Sequence, residues 1–219
     1  MKQLERTVVI MNVALMTTCK QRTDNNLNEV QEAINSIAKQ VDKVYVVVST
    51  DEYGENLPKL DNCEVYKVKP NLYAFKKFMP LITENFKPDD DIYLVDDDWR
   101  YHYNYAEYMK RFRANADIAS LGNGGCIGAF TLFKARCIKE DFFGYWSNAL
   151  IATRIDDCFM TNYFRWKRYK AQYYDRCVDE LVRSVADPLI PESANNPNNT
   201  VYPRTFGFAA SYKPWELKL

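Results

Sequence analysis

The sequence predicts an α/β fold, a mixed and mostly parallel central sheet flanked by helices, and three observations predict it. Short runs rich in β-branched and aromatic residues recur at "TVVIMNVAL", "KVYVVVST", "CEVYKV" and "DIYLV", each of strand length. Between the first two lies a stretch of helical period, so strand, helix and strand alternate, the pattern of a largely parallel sheet packed between helices. At 219 residues the chain suits one generous domain and is too short for two typical ones.

Taken in order, "TVVIMNVAL" reads as a buried strand and "TTCKQRTDNN" as a polar loop after it. A helix is expected from about Leu27 to Val41, because Leu27, Val30, Ile34, Ile37, Ala38 and Val41 form one stripe while Glu29, Gln31, Glu32 and Lys39 lie largely off it. "KVYVVVST" and "CEVYKV" are the second and third strands. Leu72 to Phe86 reads as an aromatic-rich helix that Pro80 interrupts, since proline removes a backbone donor and clashes with the preceding turn. "DIYLV" is the next strand. After it, "NYAEYMKRF" is expected to be helical, "DIASLG" and "CIGAFTLF" extended, and Ser147 to Tyr163 a helix carrying Asp156 and Asp157. The stretch "DPLIPESANNPNNTVYPRTF" is rich in proline and asparagine with little apolar period, and predicts an excursion without regular structure.

Composition narrows the function. The 29 basic and 29 acidic residues cancel, which removes the basic excess that bulk nucleic-acid binding needs for counterion release. Any nucleotide must be bound locally. The first apolar run is too short to span a bilayer and no small-residue cleavage site follows it, so no membrane span is expected. The six cysteines form no CxxC pair and read as reduced, which predicts a cytoplasmic protein. The ending "SYKPWELKL" is compatible with one domain of a longer polypeptide.

The chemistry concentrates in "DIYLVDDDWRYHYNY". An apolar strand ends in Asp96, Asp97 and Asp98, and carboxylates this close raise one another's pKa unless a cation lies among them. A metal, an arginine or lysine cluster, or open water must neutralise them. In an open α/β sheet, ligands collect beyond the carboxyl ends of the strands, where "MTTCKQR" and "STDEYGEN" also fall. Alternate carboxylates there suit one hard divalent cation that also holds substrate phosphate oxygens. A solvated acidic turn is the plain alternative.

On these residues the chain resembles the GT-A fold glycosyltransferases. "IYLVDDDWRYHYNYAEYMKRF" resembles their D-x-D strand end and following helix. "VALMTTCKQR" resembles their nucleotide-binding first strand, "FKKFMPLI" the stretch that brings a lysine to the diphosphate, "NGGCIGAFTLF" the acceptor-side strand, and "RIDDCFMTNYF" the late acidic motif. The likeness spans residues 7 to 165 and is similar in kind to small domains from bacterial capsule loci and large algal viruses. It implies a nucleotide-binding part over about 1–100 and an acceptor-side part over about 101–219. The implied activity is metal-dependent transfer of a hexose or deoxyhexose from a UDP-sugar to a glycan or glycoprotein hydroxyl, with Mn2+ or Mg2+. A metal-dependent nucleotidyltransferase and a noncatalytic glycan-binding module are the alternatives.

Carried over by residue, Asp98 is the implied direct metal ligand, and Asp96 acts at the metal or the donor ribose. Asp97 lies at the donor. Thr17, Thr18 and Arg22 border the uracil and ribose, and Lys77 or its neighbour Lys76 meets the diphosphate. Asp157, with Asp156 beside it, is the implied catalytic carboxylate, serving as general base in an inverting reaction or as electrostatic stabiliser in a retaining one. Carboxylates at a helix entry also serve simply as caps. The single histidine, His102, reads as a packing residue, and Trp99 and Trp146 are candidates for stacking on a sugar face.

Overall fold

Strand β1 (Asn12–Thr17) sends Val13 and Leu15 into one apolar layer and Ala14 and Met16 into another, so the sheet it belongs to is buried on both faces. The computed structural model describes residues 9–121, 127–142, 156–173 and 182–184, with backbone alone at 156–158 and 182–184. The sheet runs β3-β2-β1-β4-β7-β6-β8. Its further strands are β2 (Lys43–Ser49), β3 (Glu64–Val68), β4 (Asp91–Leu94), β6 (Ile118–Ser120), β7 (Thr131–Lys134) and β8 (Ala171–Tyr173). Pairings among β1, β2, β3 and β4 are parallel, as is β6 with β8. Strand β7 is antiparallel to both β4 and β6. The sheet is therefore mixed and mostly parallel, as expected. A separate two-stranded ribbon pairs β5 (Trp99–Tyr101) with β9 (Val182–Ser184).

One face of the sheet is covered by α1 (Lys20–Ala38), through Val30, Ala33, Ile34 and Ile37, and by α4 (Tyr105–Arg113), through Tyr105, Ala106 and Met109. These side chains are all but fully buried, and each large aliphatic one contributes about 1.5–3 kcal/mol of transfer free energy. The other face carries a 3-10 helix (Tyr73–Phe78) and α5 (Asp156–Trp166), where Phe75, Phe78, Phe142, Phe159 and Tyr163 pack as an aromatic cluster. Two short helices, α2 (Thr50–Tyr53) and α3 (Pro80–Thr83), complete the connections.

Three expectations change. The stretch read as the loop "TTCKQRTDNN" is mostly helix, because α1 begins at Lys20 and its polar first turn is held by tertiary partners. Asn26 breaks the helical geometry inside α1, and Leu27, expected on the apolar stripe, is 42% exposed just past that kink. Residues 73–83 form a 3-10 helix and a short α-helix with Pro80 at the first helical position, where its missing N–H costs nothing. The expected helix from Ser147 is described only from Asp156; residues 147–155, Trp146 and the proline-rich stretch lie outside the described residues. Among the described residues no helix is long and apolar enough to cross a membrane.

Candidate functional site

The order of strands reverses between β1 and β4: β2 and β3 lie to one side of β1, and β4 enters on the other. The crevice beyond the carboxyl ends at such a reversal is where open α/β sheets bind ligands. Into it run the ends of β1, β2 and β4. Only Thr18 and Cys19 separate β1 from α1, so the amino end of a 19-residue helix sits directly over the crevice. Cys19 occupies the cap position without a side-chain capping bond, and burial pushes its thiol up.

Beyond β4 the chain turns sharply, and Tyr101 clamps the turn. Its hydroxyl accepts from the Asp96 N–H at 2.8 Å and donates to the Asp96 carbonyl at 3.2 Å, while its own N–H donates to Ser36 Oγ on α1. The clamp holds the three aspartates at the strand end, and each meets a cation. Lys77 Nζ lies 3.1 Å from Asp96 Oδ1. Arg22 reaches from the first turn of α1 to Asp98 Oδ2 at 3.2 Å and approaches Asp97 Oδ2 at 3.8 Å. Arg22 and Lys77 are 3% and 2% exposed, so these cations are committed to the crevice and are not solvated surface charges.

Burial and the neighbouring Asp96 and Asp97 push the Asp98 carboxyl up to about 7, against the pull of Arg22. Burial also raises Asp97. The Thr18 hydroxyl and Arg22 oppose that rise, although no oriented hydrogen bond joins Thr18 to the carboxylate and Thr18 Oγ1 is buried without a partner. Two cations thus face three carboxylates.

A second pair lies beside the first. Lys76, also 3% exposed, stands 3.9 Å from Glu52 in α2, the short helix that directly follows β2, and burial pulls its ammonium pKa down. Glu52 Oε1 accepts from the Asn71 side chain at 2.8 Å, and its Oε2 is buried with no hydrogen bond. Tyr53 and Thr23 share a hydroxyl contact of 3.0 Å next to it. The sequence points to the segment holding Glu52, and to Lys76 as a neighbour of Lys77, but not to the side chains of Glu52, Tyr53 or Asn71. Their signal was present in the polar run following a buried strand. What no spacing announces is that residues 52, 71 and 76 meet.

The structure therefore brings Thr18, Arg22, Lys77, Asp96, Asp97 and Asp98 into one crevice. Thr17 borders it, with its hydroxyl donated to the Val47 carbonyl at 3.0 Å. Asp156 and Asp157 open α5, and their side chains lie outside the described residues. His102 is exposed; its ring nitrogen contacts Asn104 at 2.6 Å, and its carbonyl accepts from Gln40 just beyond the far end of α1.

The donor set suits a hard divalent cation in part. Among the described residues no three His, Cys, Asp or Glu side chains converge to hold a metal. Magnesium-like ions, however, are commonly held by one or two carboxylates with substrate phosphates completing the shell. Asp96 and Asp98 meet that requirement as oxygen donors, and the excess of carboxylate over cation favours it.

Among solved structures, a 2-C-methyl-D-erythritol 4-phosphate cytidylyltransferase from Francisella tularensis matches with a TM-score of 0.54, at 11% identity over 84% of this chain and 98% of that one. A 4-diphosphocytidyl-2C-methyl-D-erythritol synthase matches at 0.51, with 16% identity over 83% of this chain and 95% of that one. A Bacillus anthracis protein described as a glucose-1-phosphate thymidylyltransferase matches at 0.50, with 10% identity over 94% and 97%. The fold is GT-A-like, of Rossmann type. At these identities the likeness concerns the fold alone. No protein-family model and no curated protein matches the chain.

Proposed function

We propose that this chain is a nucleotide-dependent transferase that moves a hexose or deoxyhexose from a UDP-sugar to a hydroxyl of a glycan or glycoprotein. The observation that carries the reading is the meeting of buried Arg22, Lys76 and Lys77 with strand-end carboxylates at the β1/β4 reversal. Buried cations aimed into such a crevice are suited to phosphate oxygens, and the amino end of α1 adds backbone donors of the same sign.

Lys77 and Lys76 bind the diphosphate in this reading, with Arg22 orienting Asp98 and reaching the phosphates. Thr18 offers its hydroxyl to the ribose, and Glu52 offers to the base its Oε2, which faces Lys76 at 3.9 Å but makes no hydrogen bond. A divalent cation held by Asp96 and Asp98 would supply Lewis-acid neutralisation of the leaving diphosphate. The acceptor hydroxyl attacks the anomeric carbon, the bond from that carbon to the diphosphate oxygen breaks, and UDP leaves. In an inverting reaction Asp157 takes the hydroxyl proton; in a retaining one it stabilises the positive charge developing on the sugar.

Nucleotidyl transfer is the second reading, and the three solved structures support it better, since their names are those of nucleotidyl-transfer enzymes or their products. The local chain supports a diphosphate donor. The β1–α1 link is two residues long and contains no glycine, whereas loops that cradle a triphosphate are rich in glycine so that several backbone N–H groups can approach it. The deciding experiment incubates the chain and Mn2+ with UDP-sugars and glycan acceptors, and separately with nucleoside triphosphates and sugar 1-phosphates. Release of UDP from a UDP-sugar is expected. Pyrophosphate release without UDP would replace the first reading by the second, and neither product with no nucleotide binding would overturn both.

A further inference from the structure

The carboxylates and cations of the crevice are paired with one another, and that has a thermodynamic consequence for any ligand. Asp96 is held by Lys77 at 3.1 Å and Asp98 by Arg22 at 3.2 Å, with Arg22 also 3.8 Å from Asp97. The groups able to hold a divalent cation are thus occupied by the protein's own cations. The groups able to hold phosphate are occupied by its own carboxylates. Thr18 Oγ1, buried beside Asp97 without a well-oriented hydrogen bond, is a further polar group in the same crevice.

We infer that these ion pairs form a counter-ion latch, which makes the divalent cation and the nucleotide diphosphate bind as a mutually dependent pair. The inference rests on the proposed nucleotide site. A metal ion arriving alone has to draw Asp96 and Asp98 from Lys77 and Arg22, taking from two buried cations the carboxylates that stand nearest them, which is unfavourable. A diphosphate arriving alone has to draw the same cations from the aspartates and lie beside three carboxyl groups whose nearest cations it has taken. When both arrive, the charges re-pair: aspartates to metal, Lys77 and Arg22 to phosphate. Each ligand removes the cost that the other would meet. By linkage the enhancement is the same in both directions, and couplings of this kind are typically about 5- to 150-fold.

Removing one member of the latch therefore strengthens binding of a single ligand, the reverse of what loss of an ordinary binding residue does. The test measures Mn2+ affinity by electron paramagnetic resonance of free Mn2+ and UDP affinity by calorimetry, on the 219-residue chain. Wild type is expected to bind each probe at least about fivefold more tightly when the other is present. Lys77→Met is expected to bind Mn2+ without UDP at least about fivefold more tightly than wild type, and to lose most of the coupling. Asp96→Asn is expected to bind UDP in excess chelator more tightly than wild type, because Lys77 is then released to phosphate. Circular dichroism verifies that each variant is folded, and Lys77→Gln replaces Lys77→Met if the latter is not. A folded Lys77 variant that binds Mn2+ alone no better than wild type, while wild-type UDP binding still depends on Mn2+, overturns the latch and leaves the nucleotide site standing. Absence of UDP binding to wild type with and without Mn2+ overturns the site and the latch together.

Discussion

Asp98 is held in the crevice by Arg22 on one side and repelled by Asp96 and Asp97 on the other, which makes its replacement informative. Asp98→Asn should weaken Mn2+-dependent UDP binding by about tenfold or more, equivalent to roughly 1.4 kcal/mol, because a metal-binding carboxylate is lost. The sequence alone suggests a slight gain in stability from relieved repulsion. Arg22 offsets that gain, since the change also removes its nearest anion, so thermal unfolding should shift by no more than about 3 °C, which is near 1 kcal/mol for a domain of this length. A collapse in unfolding temperature would make the cluster a structural network. Asp157→Asn should lower transfer by about 100- to 10,000-fold while UDP and Mn2+ affinities stay at wild-type values. The same change at Asp156 should cost less. Product formation and calorimetry on the same preparations check both, and wild-type turnover in Asp157→Asn would reduce this carboxylate to a helix cap.

At the scale of elements, the site depends on anchors that lie away from it. Strand β4 is fixed at its amino end by Asp91, whose carboxylate is 4% exposed and meets Arg113 at 2.6 Å, Lys134 at 2.7 Å and Lys110 at 3.7 Å. These cations come from α4 and β7, so one carboxylate ties three elements together. Asp91→Asn leaves Arg113 and Lys134 largely buried beside a neutral partner. The expected loss is about 3 kcal/mol, or about 6–12 °C in unfolding temperature. UDP binding should survive in the folded fraction, because the crevice lies at the other end of the strand. An unfolding temperature unchanged from wild type would mean that the three cations are satisfied by solvent.

The elements themselves were largely legible beforehand. Strands β2, β3 and β4 and helix α4 fall where apolar runs and helical period place them, since burial on both faces leaves a strand little freedom in composition, whereas β1 covers only the second half of its apolar run and extends to Thr17, with Val9 and Ile10 exposed before it. The first turn of α1 was not legible. Its sequence is polar, and it is helical because Arg22 finds the aspartates 76 positions away and Thr23 finds Tyr53, partners that local periodicity does not reveal.

For the whole molecule, folding and ligand binding are linked, because the crevice exists only when β1, β2 and β4 are assembled. Mn2+ and UDP together should raise the unfolding temperature more than the sum of their separate effects. At a concentration about 100 times the dissociation constant the gain is about 2.7 kcal/mol, or roughly 5–11 °C for a chain of this size. Differential scanning calorimetry with each probe alone and with both checks this, and strictly additive shifts would speak against mutual dependence.

By itself the sequence determined the α/β class, the helical stripe on α1 and the strand that ends in three aspartates, because each is written in local composition and period. It also posed the question of what neutralises those aspartates and offered a metal, basic residues or water without deciding among them. The tertiary structure decided that Lys77 and Arg22 do so, and that Lys76, Glu52 and Asn71 stand beside them. The physical reason is distance along the chain. Nineteen positions separate Lys77 from Asp96 and 76 separate Arg22 from Asp98, and charges that far apart in sequence pair only when parallel strands deliver their carboxyl ends to one crevice.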